Sequence, residues 1–496
     1  MSPHVVVVGA GNAALCAALA AREAGADVTV LEKAPREERG GNTFFAGGGF
    51  RFPYDDLDTL RPILGDLSDS EAARVDVGAY PVAQFRTDLA RVTDGLIDDR
   101  LAHTLVHQAL PTMTWLRDQG VHWVLMYGRQ AHDVDGTLRF YGGMVVEAVG
   151  GGEGLSDSLF AAAERAGVSV RYESKATALL RSGRRITGVV VATTDSDEDL
   201  VADAVVLAAG GFEANAEMRA RYLGPGWDLA KVRGSRFNTG DAIRAAIDAG
   251  AQPYGHWSGA HAVAWDLNAP PTGNRAVGDL YQKHSYPYGL VVNLNGDRFL
   301  DEGADLRNYT YAKYGAAILA QPHRVAFQLF DQKAVPLLRD EYRIRQITKA
   351  EASTFPALAE TLGIDVPGLT RTILDYNAAC PSPDARDRFN PSALDGLATQ
   401  GLHPPKSNWA LPLDAPPYLG FAVTCGITFT FGGLKIDPVS AAVLDTEDRP
   451  LVGLYAAGEL VGGLWFNNYA GGSGLMAGAV FGRLAGTSAA EAAAIS

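Results

Sequence analysis

Cysteine is scarce: Cys16, Cys380 and Cys425 are the only three in 496 residues. They lie far apart and form no CxxC, which excludes a disulfide framework, a cysteine-held iron–sulfur cluster and a dithiol redox centre, and fits a reducing cytoplasm. Basic runs are also missing. The 43 Lys and Arg are scattered among 57 Asp and Glu, for a net charge of −14, so the electrostatic footprint of a nucleic-acid binder is absent. No apolar stretch approaches the roughly 18 residues that a membrane helix needs. The first apolar run, Val5 to Val8, has no basic segment before it and leads into a glycine turn, so it reads as a strand and not as a signal peptide. No His-x-x-His or Glu-x-x-His spacing offers a metal site, and neither a repeat nor a low-complexity linker occurs.

Glycine, by contrast, is abundant. Fifty-six of 496 residues is about 11%, against a usual share of roughly 7%, so many tight turns or close ligand approaches are expected. With 47% hydrophobic, 20% charged and 9% aromatic residues the chain is an ordinary globular one, long enough for about three domain-equivalents at roughly 150 residues each.

The clearest unit lies at the N-terminus. A β-branched run from His4 to Val8 precedes a glycine turn, an Ala-rich helix from Ala13 to Ala24, a stop at Gly25 and a second strand from Asp27 to Leu31. This βαβ pattern, with a near-continuous apolar first strand, predicts a parallel sheet covered on both faces. Within it Gly9-Ala10-Gly11-Asn12-Ala13-Ala14 has the spacing of a dinucleotide fingerprint: Gly9 for the turn, Gly11 for close approach of a pyrophosphate, and small Ala14 for helix packing. The anion would rest on the helix N-terminus. Glu32 follows Gly11 by 21 residues, where its carboxylate can accept from both ribose hydroxyls and repel a 2′-phosphate. NAD and FAD both use this fingerprint. Glycine clusters at Gly40-Gly41-Asn42-Thr43 and Gly47-Gly48-Gly49 point to continued contact with a longer ligand.

The rest of the chain reads as helical from 66 to 120, then as a helix from Ser156 to Ala166 with strands at Ser169–Tyr172, Gly188–Ala192 and Ala204–Leu207. From 256 to 429 the texture becomes aromatic and rich in Pro and Asn, with a short strand at Leu290–Asn293 and a helical piece near 309–320. It then returns to strand, glycine loop and an Ala/Gly helix from about Gly474. A nucleotide domain interrupted by an insertion is expected: 1–255 and 430–496 for the first, 256–429 for the second.

Glu32-Lys33-Ala34, Gly40-Gly41-Asn42, Leu207-Ala208-Ala209-Gly210-Gly211-Phe212, Gly432-Gly433-Leu434-Lys435-Ile436-Asp437 and Gly453-Leu454-Tyr455-Ala456-Ala457-Gly458-Glu459 together resemble the flavoprotein family of fumarate reductase and succinate dehydrogenase. The likeness runs in order over nearly the whole chain. The segments Arg39-Gly40-Gly41-Asn42, Gly303 to Tyr314 and Cys425 to Gly433 are most similar to the tricarballylate-oxidising branch. The resemblance implies an α/β fold: a Rossmann-like FAD-binding domain with a parallel sheet, interrupted by an inserted α+β capping domain, the active site lying between them. It implies flavin contacts at Gly9, Gly11, Asn12, Ala13, Ala14, Glu32, Lys33 and Ala34, at Gly40, Gly41, Asn42, Thr43, Gly47 and Gly48, at Ala176, Ala209, Gly210, Gly211 and Asn215, and at Gly458, Glu459, Ser473, Gly474 and Leu475. Some members bond the flavin to a histidine before the Gly-rich loop. Here Gly41-Asn42-Thr43 has none, so non-covalent FAD is expected.

The implied reaction desaturates a carbon–carbon bond beside a carboxylate or carbonyl, with tricarballylate to cis-aconitate as the leading case. Arg307 matches the family's proton-shuttling arginine, although a free guanidinium is too basic for that role without tuning; Tyr309 and Tyr311 are alternative bases. Arg298 and Glu302 are expected in a supporting charge network. His261 resembles a histidine that touches a substrate carboxylate, and His284 is a second imidazole in the cap. Fumarate reductases carry His and Arg where this chain has Phe429 and Tyr469, so the usual two-carboxylate clamp is incomplete. A tyrosine at 469 also resembles 3-ketosteroid dehydrogenases. With no CxxCH or cysteine-rich motif, electrons would leave to a separate redox protein, a quinone or oxygen. A disulfide reductase is disfavoured by the missing CxxC and by the weak strand before Gly150 to Gly154, and a non-enzymatic flavin binder by the full cap.

Overall fold

A computed structural model describes residues 2–65, 67–193 and 196–495. The first strand, β1 (His4–Val8), runs into α1 (Asn12–Glu23) and β2 (Asp27–Leu31). Further along come α2 (Gly151–Arg165), β3 (Ser169–Arg171), β4 (Lys175–Ser182), β5 (Arg185–Ala192) and β6 (Ala204–Leu207). The remaining elements that position the site are β7 (Pro253–Asp266), β8 (Leu290–Asn293), α3 (Tyr311–Leu319), β9 (Ala326–Phe330), β10 (Tyr418–Leu434), β11 (Pro450–Ala456) and α4 (Ser473–Ile495).

The first sheet has the order β4-β5-β11-β6-β1-β2-β3. β1 pairs in parallel with β2 on one side and β6 on the other, so the chain order reverses at β1. Val5 to Val7 and Val205 to Leu207 are essentially inaccessible, as expected for strands covered on both faces. At such a reversal the strand ends open a crevice that can take a ligand. α1 and α4 close one face through small residues: a Cβ added at Gly482 would stand 2.4 Å from the Ala13 carbonyl oxygen, and one at Gly486 2.0 Å from that of Ala17. This four-residue glycine spacing lets the backbones touch.

A second sheet is built on two long antiparallel strands, β7 and β10, with β9, β8 and the short pieces Lys231–Val232 and Ala350–Ala352 beside them. Behind it Leu290, Leu329, Leu358, Leu369 and Tyr376 form a separate core. The expected boundaries at 255/256 and 429/430 both fall inside these strands. β7 changes register between Gly255 and Ala260 and again between His261 and Ala262. α3 lies directly on β7, because Gly315 brings its backbone against Ala262 and Val263.

Candidate active site

One large cavity, ≈ 1730 Å³ and open to solvent, runs from the carboxyl ends of β1, β2 and β6 to the face of the second sheet. At its first end the fingerprint residues do what their types require. Gly9 has φ +105, and a Cβ there would meet the Ala208 carbonyl at 2.4 Å; only glycine fits. The first turn of α1 carries no acidic residue, so no side-chain charge there opposes an anion at the helix N-terminus. Asn12 is fixed from both sides, its amide donating to Thr43 Oγ1 at 2.8 Å and its Nδ2 to the Leu475 carbonyl at 2.8 Å. Glu32 is buried, accepts from the Ala34 amide at 2.8 Å, and is held above the usual carboxylate range by that burial. Lys33 is tied to Asp241 at 2.8 Å.

Gly9, Gly11, Asn12, Ala13, Glu32, Lys33, Gly41, Asn42, Thr43, Gly47, Gly48, Ala176, Ala209, Gly210, Gly458, Glu459, Gly474 and Leu475 all line this cavity. Six expected cofactor contacts do not, and each has another task. Ala14 is fully buried on α1. Ala34 orients Glu32. A Cβ on Gly40 would strike Ser156, and one on Gly211 would strike Glu459 and Thr430. Asn215 caps the turn at Met218, 3.1 Å away. Ser473 bonds the Ala470 carbonyl.

Glu459 and Glu213 form a buried carboxyl pair beside the cavity. Glu213 Oε1 accepts from Asn42 and Asn238 at 2.7 and 2.6 Å, and Glu459 Oε1 from the Thr430 amide at 2.8 Å. Burial raises both, and the neighbouring Glu213 charge pushes Glu459 well above an ordinary glutamate. The pair is thereby biased toward holding a proton between its two carboxyls.

At the other end the wall divides in two. One part is aromatic. The His261 ring stacks on Phe429 at 5.0 Å and meets Tyr311 and Tyr469 edge-on at 5.0 and 4.9 Å. The Tyr469 hydroxyl accepts from the Gly474 amide at 2.9 Å. The other part is cationic: Arg129, Arg233, Arg307 and Arg339 all reach it. Arg129 and Arg233 share Asp279, at 2.8 and 2.5 Å. Arg339 Nε stands 3.5 Å from Glu341. Arg307, only 8% exposed, has no carboxylate partner among the described residues, and its Nε is buried without a hydrogen bond, as are Nε and Nη1 of Arg339. Nearby Glu147 is pushed toward its neutral acid by burial. Four guanidinium groups thus face the carboxylates of Asp279 and Glu341, of which only Asp279 is hydrogen-bonded to them.

Burial and the charge of Arg339 lower the Arg307 pKa, whereas burial raises that of Tyr311. Burial also lowers His261 and His284 well below ordinary histidine, so both are neutral at pH 7. Both nitrogens of His284 and Nδ1 of His261 lack partners.

The expected catalytic residues Arg307, His261, His284 and Tyr469 come together here, with Tyr311 and Phe429. Tyr309 does not: its hydroxyl is bound to Asp88 at 2.7 Å. Arg298 and Glu302 also lie away from the cavity. They pair with each other, Glu302 accepting from the Val291 amide at 2.8 Å and Arg298 donating to the Pro404 carbonyl at 2.7 Å, so they brace the segment leading to Arg307. Arg129, Arg233 and Arg339 were not legible in the sequence, each being a lone arginine in an irregular segment. Among the described residues no His/Cys/Asp/Glu group could hold a metal, and no helix is long and apolar enough to cross a membrane.

Comparison with known proteins gives the same picture. The family described as "FAD binding domain" matches residues 4–475. A protein named as a probable fumarate reductase of Shewanella frigidimarina is 30% identical over 98% of this chain and 75% of its own length. A 3-oxosteroid 1-dehydrogenase of Mycobacterium tuberculosis is 26% identical, covering 97% of both chains. The open conformation of a flavocytochrome c3 fumarate reductase superposes with a TM-score of 0.72 at 27% identity, over 99% of this chain and 78% of that one.

Proposed function

The chain belongs to the FAD-binding family of fumarate reductase flavoproteins and is an FAD-dependent oxidoreductase, and from that premise we propose that it oxidises a carboxylate-bearing CH–CH bond, tricarballylate to cis-aconitate being the leading reaction. The observation that carries this reading is the excess of buried guanidinium charge at one end of the cavity, with Arg307 unpaired. A buried cation without a counterion is costly, and an anionic substrate relieves that cost.

FAD would be held by the β1–α1 turn, Glu32, Asn42 and the start of α4, and would supply the hydride acceptor. Arg307 pairs with a carboxylate as the guanidinium, and only after giving up a proton to solvent can it accept the one on the adjacent carbon; its lowered pKa favours that loss, while the raised pKa of Tyr311 disfavours the phenolate. His261, neutral and wedged among Phe429, Tyr311 and Tyr469, donates its ring N–H to the carboxylate next to the reacting bond. The segment from 40 to 49 contains no histidine, so the cofactor is held without a covalent bond. Electrons then pass to a separate acceptor. All three cysteines are free, which supports a reducing cytoplasm.

A second reading has an observation of its own. The Tyr469 hydroxyl accepts from the Gly474 amide, which fixes the ring and leaves its O–H to donate to a ketone oxygen, as a 3-ketosteroid would require. The test is anaerobic bleaching of the flavin absorption by tricarballylate, succinate, a 3-ketosteroid and NADH in parallel. Tricarballylate alone is expected to bleach it. Bleaching by the steroid, abolished in Tyr469→Phe, would replace the carboxylate reading.

A further inference from the structure

Behind the arginine wall lies a second cavity, ≈ 720 Å³, which the reaction described so far does not use. His284, Arg307, Arg339 and Arg129 line both spaces, so the two meet at these side chains. The far walls are different: Tyr141, Tyr288 and Trp409 frame them. The hydroxyls of the two tyrosines are already engaged, Tyr141 with the Arg129 carbonyl at 3.2 Å and Tyr288 with His132 and the Pro391 carbonyl at 3.1 and 3.0 Å. The walls therefore offer shape, and the polar groups left free are on the shared wall: both nitrogens of His284, Nε of Arg307, and Nε and Nη1 of Arg339. Arg339 has an acidic neighbour, Glu341, yet the 3.5 Å between them is too long for a hydrogen bond, and the Glu341 oxygen facing it is itself unpartnered. Buried guanidinium donors are rarely left unused.

We propose that the second cavity is a subsite for a further carboxylate-bearing arm of the substrate, with Arg339 as the residue that holds it. Arg307 then serves the carboxylate beside the reacting bond, and Arg339 the one that lies beyond it. This rests on the carboxylate reading above and narrows it: the substrate class is a branched polycarboxylate, and an unbranched dicarboxylate leaves the second cavity unfilled. The dicarboxylate clamp that Phe429 and Tyr469 leave incomplete is replaced by charge on the opposite wall.

Two variants test this. Arg339→Gln removes the charge, and Gly128→Phe adds bulk at the second cavity while keeping every charged side chain; Gly128 lines it, and a Cβ there meets nothing within 4 Å. Flavin retention checks that each has folded. Calorimetric binding and anaerobic bleaching are measured with tricarballylate and with succinate. The proposal expects tricarballylate binding to weaken at least tenfold in both variants, with succinate changed less than threefold and Arg339→Lys recovering part of the loss. Unchanged tricarballylate affinity in both variants, with bleaching intact, overturns the subsite and leaves the oxidation reading standing. Binding that is lost in the variants, in a protein that tricarballylate never bleaches, overturns the reaction and keeps the subsite. Failure of tricarballylate to bind at all overturns both.

Discussion

Replacing Arg307 by Gln removes the one guanidinium at the wall that has no carboxylate partner. Arg307 is 8% exposed, so a carboxylate bound to it is largely shielded from water. Two unit charges about 4 Å apart, at an effective dielectric of about 20, interact by about 4 kcal/mol. Part of that is offset, because the substitution also removes the burial cost of Arg307 and its repulsion with Arg339, the two influences that lower its pKa. A net loss of about 2–4 kcal/mol remains, the range in which truncating one partner of a buried charged pair falls. That corresponds to roughly 30- to 1000-fold weaker substrate binding. Since Arg307 is also the proposed proton acceptor, the limiting rate of flavin bleaching falls by a further factor of about 100 or more. Stopped-flow bleaching separates the two, the half-saturating concentration reporting the charge and the limiting rate the proton. A variant that binds within threefold of the parent and bleaches at a similar rate would refute both roles.

Other consequences follow from the same geometry. In the Glu213/Glu459 pair the folded pKa of Glu459 is raised, so its favourable contribution is present below the unfolded glutamate pKa of about 4.3 and is lost as pH rises toward the folded value; Glu459→Gln should gain stability relative to the parent between pH 5 and pH 8 in thermal unfolding, and an equal offset at both would count against the shared proton. Gly486→Val forces α1 and α4 apart and should cost about 1–3 kcal/mol in denaturant unfolding, whereas Gly128→Ala, with nothing near its Cβ, should cost much less; equal effects would contradict the close-packed helix pair. Glu32→Ala should weaken FAD by about 5- to 30-fold through loss of hydrogen bonds worth about 1–2 kcal/mol, read by flavin release on dilution. Acid precipitation should leave all the flavin in the supernatant, and yellow protein in the pellet would reveal a covalent link.

Much of the cofactor end was legible because its signals are local. β1, β2 and β6 begin and end where their apolar runs do, and α1 is offset by a single residue from its expected span. The start of α2 was not: a helix from Ser156 was expected, and it begins at Gly151. Glycines argue against a helix by propensity, but a Cβ at Gly152 would collide with the Thr43 and Ala46 backbone, so packing against the flavin-side turn decides. β7 and β10, at 14 and 17 residues, exceed anything their broken texture predicted, since register shifts let them continue past glycines. At the other end of the cavity His261, Arg307 and Tyr469 were expected through resemblance, and all three line it. Arg129, Arg233 and Arg339 come from three distant segments with no shared spacing, and only the tertiary fold joins them.

The central claim is that this wall of arginines serves the oxidation of a polycarboxylate. The most direct measurement is an anaerobic titration of the oxidised holoenzyme with tricarballylate, following the flavin absorption and identifying the product chemically. One cis-aconitate formed per flavin reduced, with no flavin reduction by succinate, is the predicted result. Full retention of oxidised flavin with no cis-aconitate, in protein that is bleached by a ketone substrate, would contradict it.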